Sequence, residues 1–483
     1  MIQLNISFRI LGITLAFFAL SYIPVIGVAW WYGENALATF VVSALFTGFL
    51  SFLLYYGTRH AQGELRTRDG FFIVALVWTT VSIVATLPFL LSASLDITFA
   101  AAIFESVSGL TTTGSTVIVG LDLLPRSILY YRQQLHLLGG MGILVLAVAI
   151  LPLLGVGGLQ LFRAEASSVA KDNKLTPRVT QTAKALWLIY VGLIVACILA
   201  FWAGGMSLFD AICFSYSAVS TGGFSPYDAS FIYPEISLRL IAVLFMILGS
   251  INFSLHYLCF RHGEISAYFK DEEVRAFILL QVLFVLICVI VVFHHTTVLD
   301  PVQSFVEVLF QVISISTTTG FTVTGFHLWP LFVPILLMIA ALLGGCSRST
   351  AGGIKVVRML LILKQGRREI NRLIHPHGYF LLKLNQMIVS VRVSDAVWGF
   401  VGIYFCVFVI LMLALMGLGL DFTSAFSGMV GSLTNMGPGL GDVALHYRDV
   451  GAAAQWIFSF AMLLGRLELF SILVLLTPAF WRD

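Results

Sequence analysis

The sequence predicts an all-α polytopic membrane protein, with four pseudo-symmetric units around one axis and two further transmembrane helices at the N terminus. Three observations support this fold class. Of the 483 residues, 59% are hydrophobic and 11% are charged, whereas soluble domains carry about 25% charge. Ten apolar runs are long enough to span a bilayer. A short polar segment that contains glycine also recurs four times at a nearly regular spacing.

The apolar runs of about 20 residues are expected to cross the hydrocarbon core. They lie at about 9–31, 37–57, 71–92, 133–157, 184–204, 238–260, 275–294, 330–363, 394–418 and 452–480. The first run lacks a convincing small-residue cleavage site, so we expect it to be retained as a span. The predicted units are 1–68 for the two additional helices and 69–160, 161–265, 266–375 and 376–483 for the four repeats.

Each repeat also contains an apolar stretch that is too short to span the bilayer but suits a re-entrant half-helix. These stretches lie at about 98–110, 208–219, 302–315 and 422–433. Two of them show the Ser-x-x-acid signal of a helix N terminus, in Ser207 with Asp210 and in Ser304 with Glu307. Pro301 suits the first position of the third half-helix.

A segment rich in Gly, Thr and Ser follows each half-helix. The four are TTTGSTV at 111–117, STGGFS at 220–225, TTTGFT at 317–322 and LTNMGPG at 433–439. Their key glycines are separated by 109, 97 and 117 residues. One such segment usually marks a turn, but four at this spacing favour a pore. The predicted filter segments 1 to 4 are Thr111, Thr112, Thr113 and Gly114; Ser220, Thr221, Gly222 and Gly223; Thr317, Thr318, Thr319 and Gly320; and Thr434, Asn435, Met436 and Gly437.

The composition of the filter segments suits the binding of a dehydrated cation. Backbone carbonyl groups can replace the hydration shell of the ion, and glycine permits the torsions that aim successive carbonyls at one axis. Thr and Ser hydroxyl groups add oxygen atoms, and the half-helices direct their negative dipole ends at the pore. Glu105, inside the first half-helix, is expected to be a hydrogen-bonded structural acid and not a filter ligand.

The positions of Lys and Arg predict the orientation of the chain in the membrane. One set of loops carries these residues, in Arg59 to Arg68, Arg163 to Arg178, Arg261 to Arg275 and Lys355 to Arg392. The intervening links, such as 92–97, 204–207 and 295–301, carry almost none. We therefore expect both termini to be cytoplasmic and all four filter segments to open towards the outside.

The predicted span 330–363, which follows the filter segment of the third repeat, is interrupted by GGCSRSTAGGIK at 344–355. We name these residues the gate segment. Glycine and serine within a span break or kink it. The segment is therefore either a simple kink or packing motif, or a flexible loop beneath the filter. Its candidate gating residues are Gly345, Ser347, Arg348, Gly352 and Gly353.

Arg466 lies about midway along the last predicted span and is a further candidate gating residue. A charge at that depth costs roughly 2.5–3.5 kcal/mol on insertion scales, which makes a functional site the default hypothesis. The alternative is a structural ion pair with Glu468 or with a group on another helix. Four inner-span glycines follow the filter glycines by 26, 26, 24 and 28 residues, namely Gly140, Gly249, Gly344 and Gly465. This spacing predicts that Arg466 lies beside the pore.

At these residues the chain resembles the Trk/Ktr/HKT superfamily of potassium transporters, and within it the bacterial Trk-type membrane subunits. The resemblance covers essentially the whole chain. It is carried by the filter segments, the gate segment, LLGRLELF at 463–470 and the two additional N-terminal spans. It implies a potassium uptake protein of the bacterial inner membrane, which forms a homodimer with one K⁺ pore in each subunit. It also implies that the gate segment is an intramembrane loop and that Arg466 lies on the conduction path.

The resemblance further implies a cytoplasmic ring of nucleotide-binding, TrkA-like regulatory subunits. The stretch 355–392 is a candidate docking region because it holds eight Lys and Arg residues and one acid, Glu369. Positive-inside topology alone would explain part of this charge. The chain has no phosphate-binding loop, so we expect ATP, ADP or NAD to bind the partner. We expect no organic cofactor and no enzymatic activity in this chain.

Two other functions stay open. In the superfamily, serine at the first filter glycine is associated with sodium permeation, so Gly114 favours potassium over a sodium-preferring member. A potassium symporter coupled to protons or sodium is the second alternative. Those folds usually carry inverted repeats, whereas the four units here share one orientation. Filter segments 2 and 4 depart from Thr-Thr-Thr-Gly, so we expect looser selectivity than in a filter of four identical loops.

Overall fold

The computed structural model describes residues 3–61, 66–145, 179–296 and 299–482. The first part of the chain forms α1 (Leu4–Trp31), α2 (Leu37–Thr58), α3 (Thr67–Val84), α4 (Leu87–Leu91), α5 (Phe99–Leu110) and α6 (Arg126–Val145). The second forms α7 (Val179–Ala203), α8 (Leu208–Val219), α9 (Ile236–Ser250), α10 (Phe253–His262) and α11 (Ser266–Lys270). The third forms α12 (Glu272–His295), α13 (Pro301–Ser316), α14 (Val333–Leu343) and α15 (Val356–Ile374). The last forms strands β1 (Lys383–Leu384) and β2 (Met387–Ile388), then α16 (Val391–Gly417), α17 (Phe422–Leu433), α18 (Gly451–Arg466), α19 (Phe470–Leu473) and α20 (Pro478–Trp481).

The helical content confirms the predicted all-α fold class. Among the described residues, six spans are long and apolar enough to cross a membrane: α1, α2, α3 continuing into α4, α7, α12 and α16. Between 22% and 44% of each span is buried, so most of the apolar side chains face outward, as they do on lipid-facing helices. The predicted span 133–157 corresponds to α6 as far as residue 145, and its remainder lies outside the described residues.

Two inner spans that we predicted as continuous, 238–260 and 452–480, are sharply bent. The axes of α9 and α10 differ by 98°, and α18 differs by 107° from the following Phe470–Leu476 stretch. At the first break, the gate segment replaces helical hydrogen bonds: the amide of Cys346 donates to Ser250 O (2.9 Å) and the amide of Phe253 donates to Arg348 O (3.1 Å). At the second break, Glu468 has a left-handed φ of 53°.

The four half-helices α5, α8, α13 and α17 lie within a residue of the predicted stretches. Thr98, Ser207, Asp300 and Asp421 cap their N termini by accepting backbone N–H groups. The hydrogen bonds from Ser424 and Thr423 hold the pKa of Asp421 below its ordinary value. Pro301 occupies the first turn of α13, as predicted. The predicted cap Ser304 is wrong, because Ser304 lies inside that helix and Asp300 supplies the cap.

The half-helices and inner helices form a closed ring. The inner helix α6 packs on its own half-helix α5 and on the next one, α8. In the same way α9 packs on α8 and α13, and α14 packs on α13 and α17. Helix α18 packs on α17 and returns to α5, which closes the ring in chain order. Helix α1 packs on α2, α3 and α6, so the N-terminal pair lies beside the first repeat.

Both described ends of the chain lie near the start of α3. The amide of Gln3 donates to Asp69 Oδ1 (2.9 Å), and the guanidinium of Arg68 donates to Arg482 O (2.7 Å). The first and last described residues are therefore at the same end of the helical bundle, as the predicted topology requires.

Candidate cation pathway

The filter segments meet backbone to backbone around the axis of the ring. A methyl carbon added to Gly114 would lie 2.2 Å from the carbonyl oxygen of Gly222 in the next segment. The same construction at Gly223 reaches the carbonyl oxygen of Thr319 (2.1 Å), and at Gly320 that of Met436 (2.0 Å). At Gly437 it reaches the carbonyl oxygen of Thr113 (2.6 Å), which completes the ring. No side chain fits at these four positions without displacing a carbonyl group, because van der Waals contact begins near 3.4 Å.

The backbone of every filter segment alternates between right-handed and left-handed φ. The four key glycines, Gly114, Gly223, Gly320 and Gly437, have φ of 83°, 81°, 86° and 102°. Two residues earlier, Thr112, Thr221, Thr318 and Asn435 have φ of 51°, 52°, 57° and 55°. Left-handed torsions at non-glycine residues cost about 1–3 kcal/mol each and cluster at functional sites. Alternation of this kind turns successive carbonyl groups to the same side of the chain, which is what a cation-binding filter needs.

Hydroxyl contacts brace segments 1 and 3. Thr111 Oγ1 lies 2.7 Å from Thr113 Oγ1, and Thr317 Oγ1 lies 2.8 Å from Thr319 Oγ1. In segment 4, Asn435 occupies the position that is Thr112 in segment 1 and Thr318 in segment 3. Its Nδ2 donates to Thr113 Oγ1 (3.0 Å) and to the carbonyl oxygen of Met462 (2.9 Å). Asn435 therefore joins segment 4 to segment 1 and to α18.

The inner helices approach the C-terminal ends of the half-helices at glycine residues. A methyl carbon on Gly249 or Gly465 would lie 2.6 or 2.1 Å from the last carbonyl of its half-helix. In the first repeat this close contact involves Gly139 (1.9 Å) and not Gly140, which faces Tyr190 and Ser220. Of the four glycines aligned by their sequence spacing, Gly249 and Gly465 therefore make this close approach and Gly140 does not. Gly344 ends α14 and begins the gate segment, where a methyl carbon added to it would lie 2.2 Å from the carbonyl oxygen of Gly352.

The gate segment separates α14 from α15 and lies directly against three filter segments. In segment 2, Thr221 Oγ1 lies 3.4 Å from Thr350 Oγ1, which also donates to the carbonyl oxygen of Val219 just before this segment (2.9 Å). The amide of Gly352 donates to Thr318 Oγ1 in segment 3 (2.7 Å). The amide of Gly353 donates to the carbonyl oxygen of Thr434 in segment 4 (3.1 Å).

Glu273, at the start of α12, joins the gate segment to the first turn of α15. Its carboxylate accepts the amide (2.6 Å) and hydroxyl (2.8 Å) of Ser347 and the amide of Val357 (3.2 Å). Glu273 is buried. Nothing in the local sequence distinguishes Glu273, because an acid at the start of a helix is common and interacts favourably with the helix dipole.

Arg466 is buried at the end of α18, and its Nη1 donates to the carbonyl oxygen of Thr350 in the gate segment (2.8 Å). Its Nε and Nη2 atoms make no hydrogen bond within the part of the chain that the structure describes. The alternative pair with Glu468 does not form, because Glu468 instead accepts from Arg358 of α15 (2.7 Å). Arg348 has a left-handed φ of 54°, and its carbonyl group binds the amide of Phe253.

Glu105 is a structural acid, as the sequence predicted. It forms a buried ion pair with Arg132 of α6 (2.7 Å) and accepts hydrogen bonds from the Thr116 hydroxyl and the amide of Val117. Among the described residues, no group of three or more His, Cys, Asp or Glu side chains could hold a metal ion.

Four half-helices, four inner helices and one ring of polar backbone loops define a membrane protein of the cation-transport class. A family model described as "TrkH: Cation transport protein" matches residues 33–482. The chain belongs to this TrkH family.

Characterised relatives and a solved structure resemble the chain over its whole length. It is 48% identical to the "Trk system potassium uptake protein TrkH" of Vibrio parahaemolyticus, with 100% of both chains covered. It is 45% identical to the protein of the same name from Escherichia coli strain K12, with 98% of this chain and 99% of the other covered. The crystal structure of the potassium transporter TrkH from Vibrio parahaemolyticus superposes with a TM-score of 0.93 at 46% identity, and 100% of both chains is covered.

Proposed function

We propose that this protein mediates potassium uptake across the bacterial inner membrane, through a filter of backbone oxygens formed by the four filter segments. The observation that carries this proposal is the closed ring of segments with alternating φ. Carbonyl groups aimed at one axis replace the hydration shell of a cation without needing a charged ligand. The C-terminal ends of the four half-helices add negative potential at the same place.

Potassium is favoured over sodium by the glycine at all four key positions. A side chain at any of them would displace a carbonyl oxygen of the next segment. The relatives are named potassium uptake proteins, which agrees with this assignment. The unequal side chains of segments 2 and 4 make the ring less regular than one of four identical loops.

The gate segment and Arg466 form the barrier beneath the filter in this proposal. The segment contacts three filter segments, and the guanidinium of Arg466 reaches it through Thr350. A positive charge next to the path of the ion raises the energy of a passing cation. Conduction then requires that the gate segment and this charge move away from the axis.

The proposal includes a homodimer with one pore in each subunit and a cytoplasmic TrkA-like ring that binds the regulatory nucleotide. In this arrangement both termini are cytoplasmic. Residues 355–392 continue directly from the gate segment, and α15 carries most of their charge. A ring that docks on α15 can therefore move the gate segment through a single helix.

Reconstitution of the purified chain alone in liposomes tests the function. We expect K⁺ flux down its gradient and reversal potentials that favour K⁺ over Na⁺. Equal or preferred Na⁺ flux would identify a sodium-permeable transporter. Net K⁺ movement against its gradient, driven by a proton or sodium gradient, would identify a symporter.

A further inference from the structure

Filter segment 2 differs from the others at the position that precedes its key glycine, where it carries Gly222. In segments 1 and 3 this position is a threonine, whose hydroxyl braces the segment through the threonine two residues earlier. In segment 4 it is Met436. Segment 2 therefore lacks the side chain that stabilises its counterparts, although its backbone has the same alternating φ.

The imidazole of His136, on the inner helix α6 of the neighbouring repeat, occupies the space beside Gly222. A methyl carbon added to Gly222 would lie 2.3 Å from Nδ1, 2.6 Å from Cγ and 2.7 Å from Cε1 of this ring. Ordinary contact between such atoms begins near 3.4 Å, so the ring and any larger residue at position 222 exclude each other. His136 is fully buried, so the ring cannot swing into solvent without opening the interface.

His136 also contacts the residues on either side of filter segment 2. Its Nδ1 lies 2.9 Å from Ser217 Oγ near the end of the half-helix α8. Its ring stacks on Phe224, with 4.3 Å between the centroids and 13° between the planes. Phe224 follows the key glycine directly, and the Arg132 guanidinium lies 4.2 Å from its ring centroid. The imidazole is thus packed between the entry and the exit of the segment.

We propose that His136 is a positioning residue for ion selectivity, because it takes the place of the threonine side chain that segment 2 lacks. The inference rests on the proposed role of the ring as the ion filter. The ring lies beside Gly222, whose carbonyl oxygen is the first atom that a side chain on Gly114 of segment 1 would meet (2.2 Å). A shift of segment 2 therefore changes the positions of the backbone in segment 2 and its packing against segment 1.

The first experiment replaces His136 with alanine and measures reversal potentials in K⁺/Na⁺ gradients. Loss of a group that orients the ligands of a metal ion typically changes affinity or activity about 10- to 100-fold. We expect the relative Na⁺ permeability to rise by roughly tenfold, the lower end of that range. His136→Asn keeps a nitrogen close to the position of Nδ1 and should recover part of the selectivity. Leu129→Ala, a buried truncation on the same helix, is the control and should keep the wild-type ratio.

The second experiment tests the complementarity of the two residues. Gly222→Thr alone should lower the yield of folded protein and abolish flux, because its side chain collides with the imidazole. The double variant His136→Ala with Gly222→Thr should recover both, since segment 2 then has a threonine before its key glycine, as segments 1 and 3 do. A double variant no better than Gly222→Thr would overturn the proposal, and so would a wild-type permeability ratio in folded, conducting His136→Ala. If wild-type protein itself fails to prefer K⁺, the proposed function fails, while the recovery of folded protein still tests the packing.

Discussion

Arg466 joins the last inner helix to the gate segment through its hydrogen bond of 2.8 Å to the carbonyl oxygen of Thr350. The same threonine binds the carbonyl groups of Val219 and Gly249 through its hydroxyl, both at 2.9 Å. Thr350 therefore connects the charge at the end of α18 with the end of the half-helix α8 and with the inner helix α9. The position of the gate segment and the position of this charge are coupled by one residue.

We expect Arg466→Ala to increase K⁺ flux in liposomes, because it removes both the positive charge and one attachment of the gate segment. A barrier lower by about 1.4 kcal/mol corresponds to roughly tenfold faster passage. Arg466→Lys keeps the charge and should stay closer to wild type. Partial deletion of 345–353 is expected to raise flux as well, but it also removes the contacts of Gly352 and Gly353 with the filter segments. The gate assignment fails if the intact variants conduct no more than wild type.

Gly114→Ser should raise relative Na⁺ permeability, because its Cβ would lie 2.2 Å from the carbonyl oxygen of Gly222 and would displace it. The matched control is Gly120→Ser. Gly120 has nearly the same left-handed φ, 80° against 83°, but no atom lies within 4 Å of its added carbon. Both variants carry the same backbone strain, so only the collision in the ring distinguishes them. An unchanged permeability ratio in folded, conducting Gly114→Ser would remove the filter assignment.

The helices around the ring could be predicted from the sequence because their signals are local. The lengths of the apolar stretches separate the spans from the half-helices, and Ser207 and Pro301 mark where two half-helices begin. The bends between α9 and α10 and after α18 could not be predicted. No proline occurs at either bend, and a single glycine just before each, Gly249 or Gly465, is tolerated inside a helix. At the first bend the gate segment supplies the hydrogen bonds that break the helix.

In the candidate site, too, features with a local sequence signal could be predicted, and features that depend on contacts between distant segments could not. Left-handed φ at the four key glycines could be expected because glycine adopts it without strain, and the break at 344–355 because glycine and serine are concentrated there. Left-handed φ at the residue two positions before each key glycine could not be expected, since three of these residues are threonine and one is asparagine. His136 and Glu273 could not be predicted either, since each contacts a segment more than 70 residues away in sequence. Their roles depend on how the helices of different repeats pack together.

Glu273→Gln should loosen the gate segment, because a neutral amide cannot accept the hydrogen bonds of Ser347 and Val357 as strongly as a carboxylate. Hydrogen bonds to charged groups contribute roughly 1.5–3 kcal/mol each. We expect higher basal K⁺ flux and a lower thermal unfolding temperature. Glu272→Gln is the matched control, because the neighbouring acid pairs with Lys364 of α15 and not with the gate segment. Equal basal flux in the two variants would show that the Glu273 contacts do not restrain the gate.

Charge reversal at Arg367, Arg368 and Arg372 should weaken binding of the TrkA-like ring and abolish its nucleotide-dependent control, without changing basal flux. These residues lie on α15, beyond the gate segment, where Arg367 and Arg372 are exposed and Arg368 is half-buried. Glu369 pairs with Arg368 and Arg372 (3.1 and 3.3 Å) and neutralises only part of the patch. Co-purification with the ring at rising salt measures the electrostatic contribution to binding. At 0.1 M salt, interactions between exposed charges more than about 10 Å apart are already largely screened.

The control for this experiment reverses Arg59, Arg66 and Arg68, an equal number of exposed charges before and at the start of α3. These positions belong to another predicted cytoplasmic loop that has no direct connection to the gate segment. If the α15 patch is the docking site, only the first set of reversals lowers ring binding, and its effect diminishes as salt rises. Wild-type regulation in the α15 variant would move the docking site to the loops around 158–182 or 261–275, which are further basic segments on the same predicted face of the membrane.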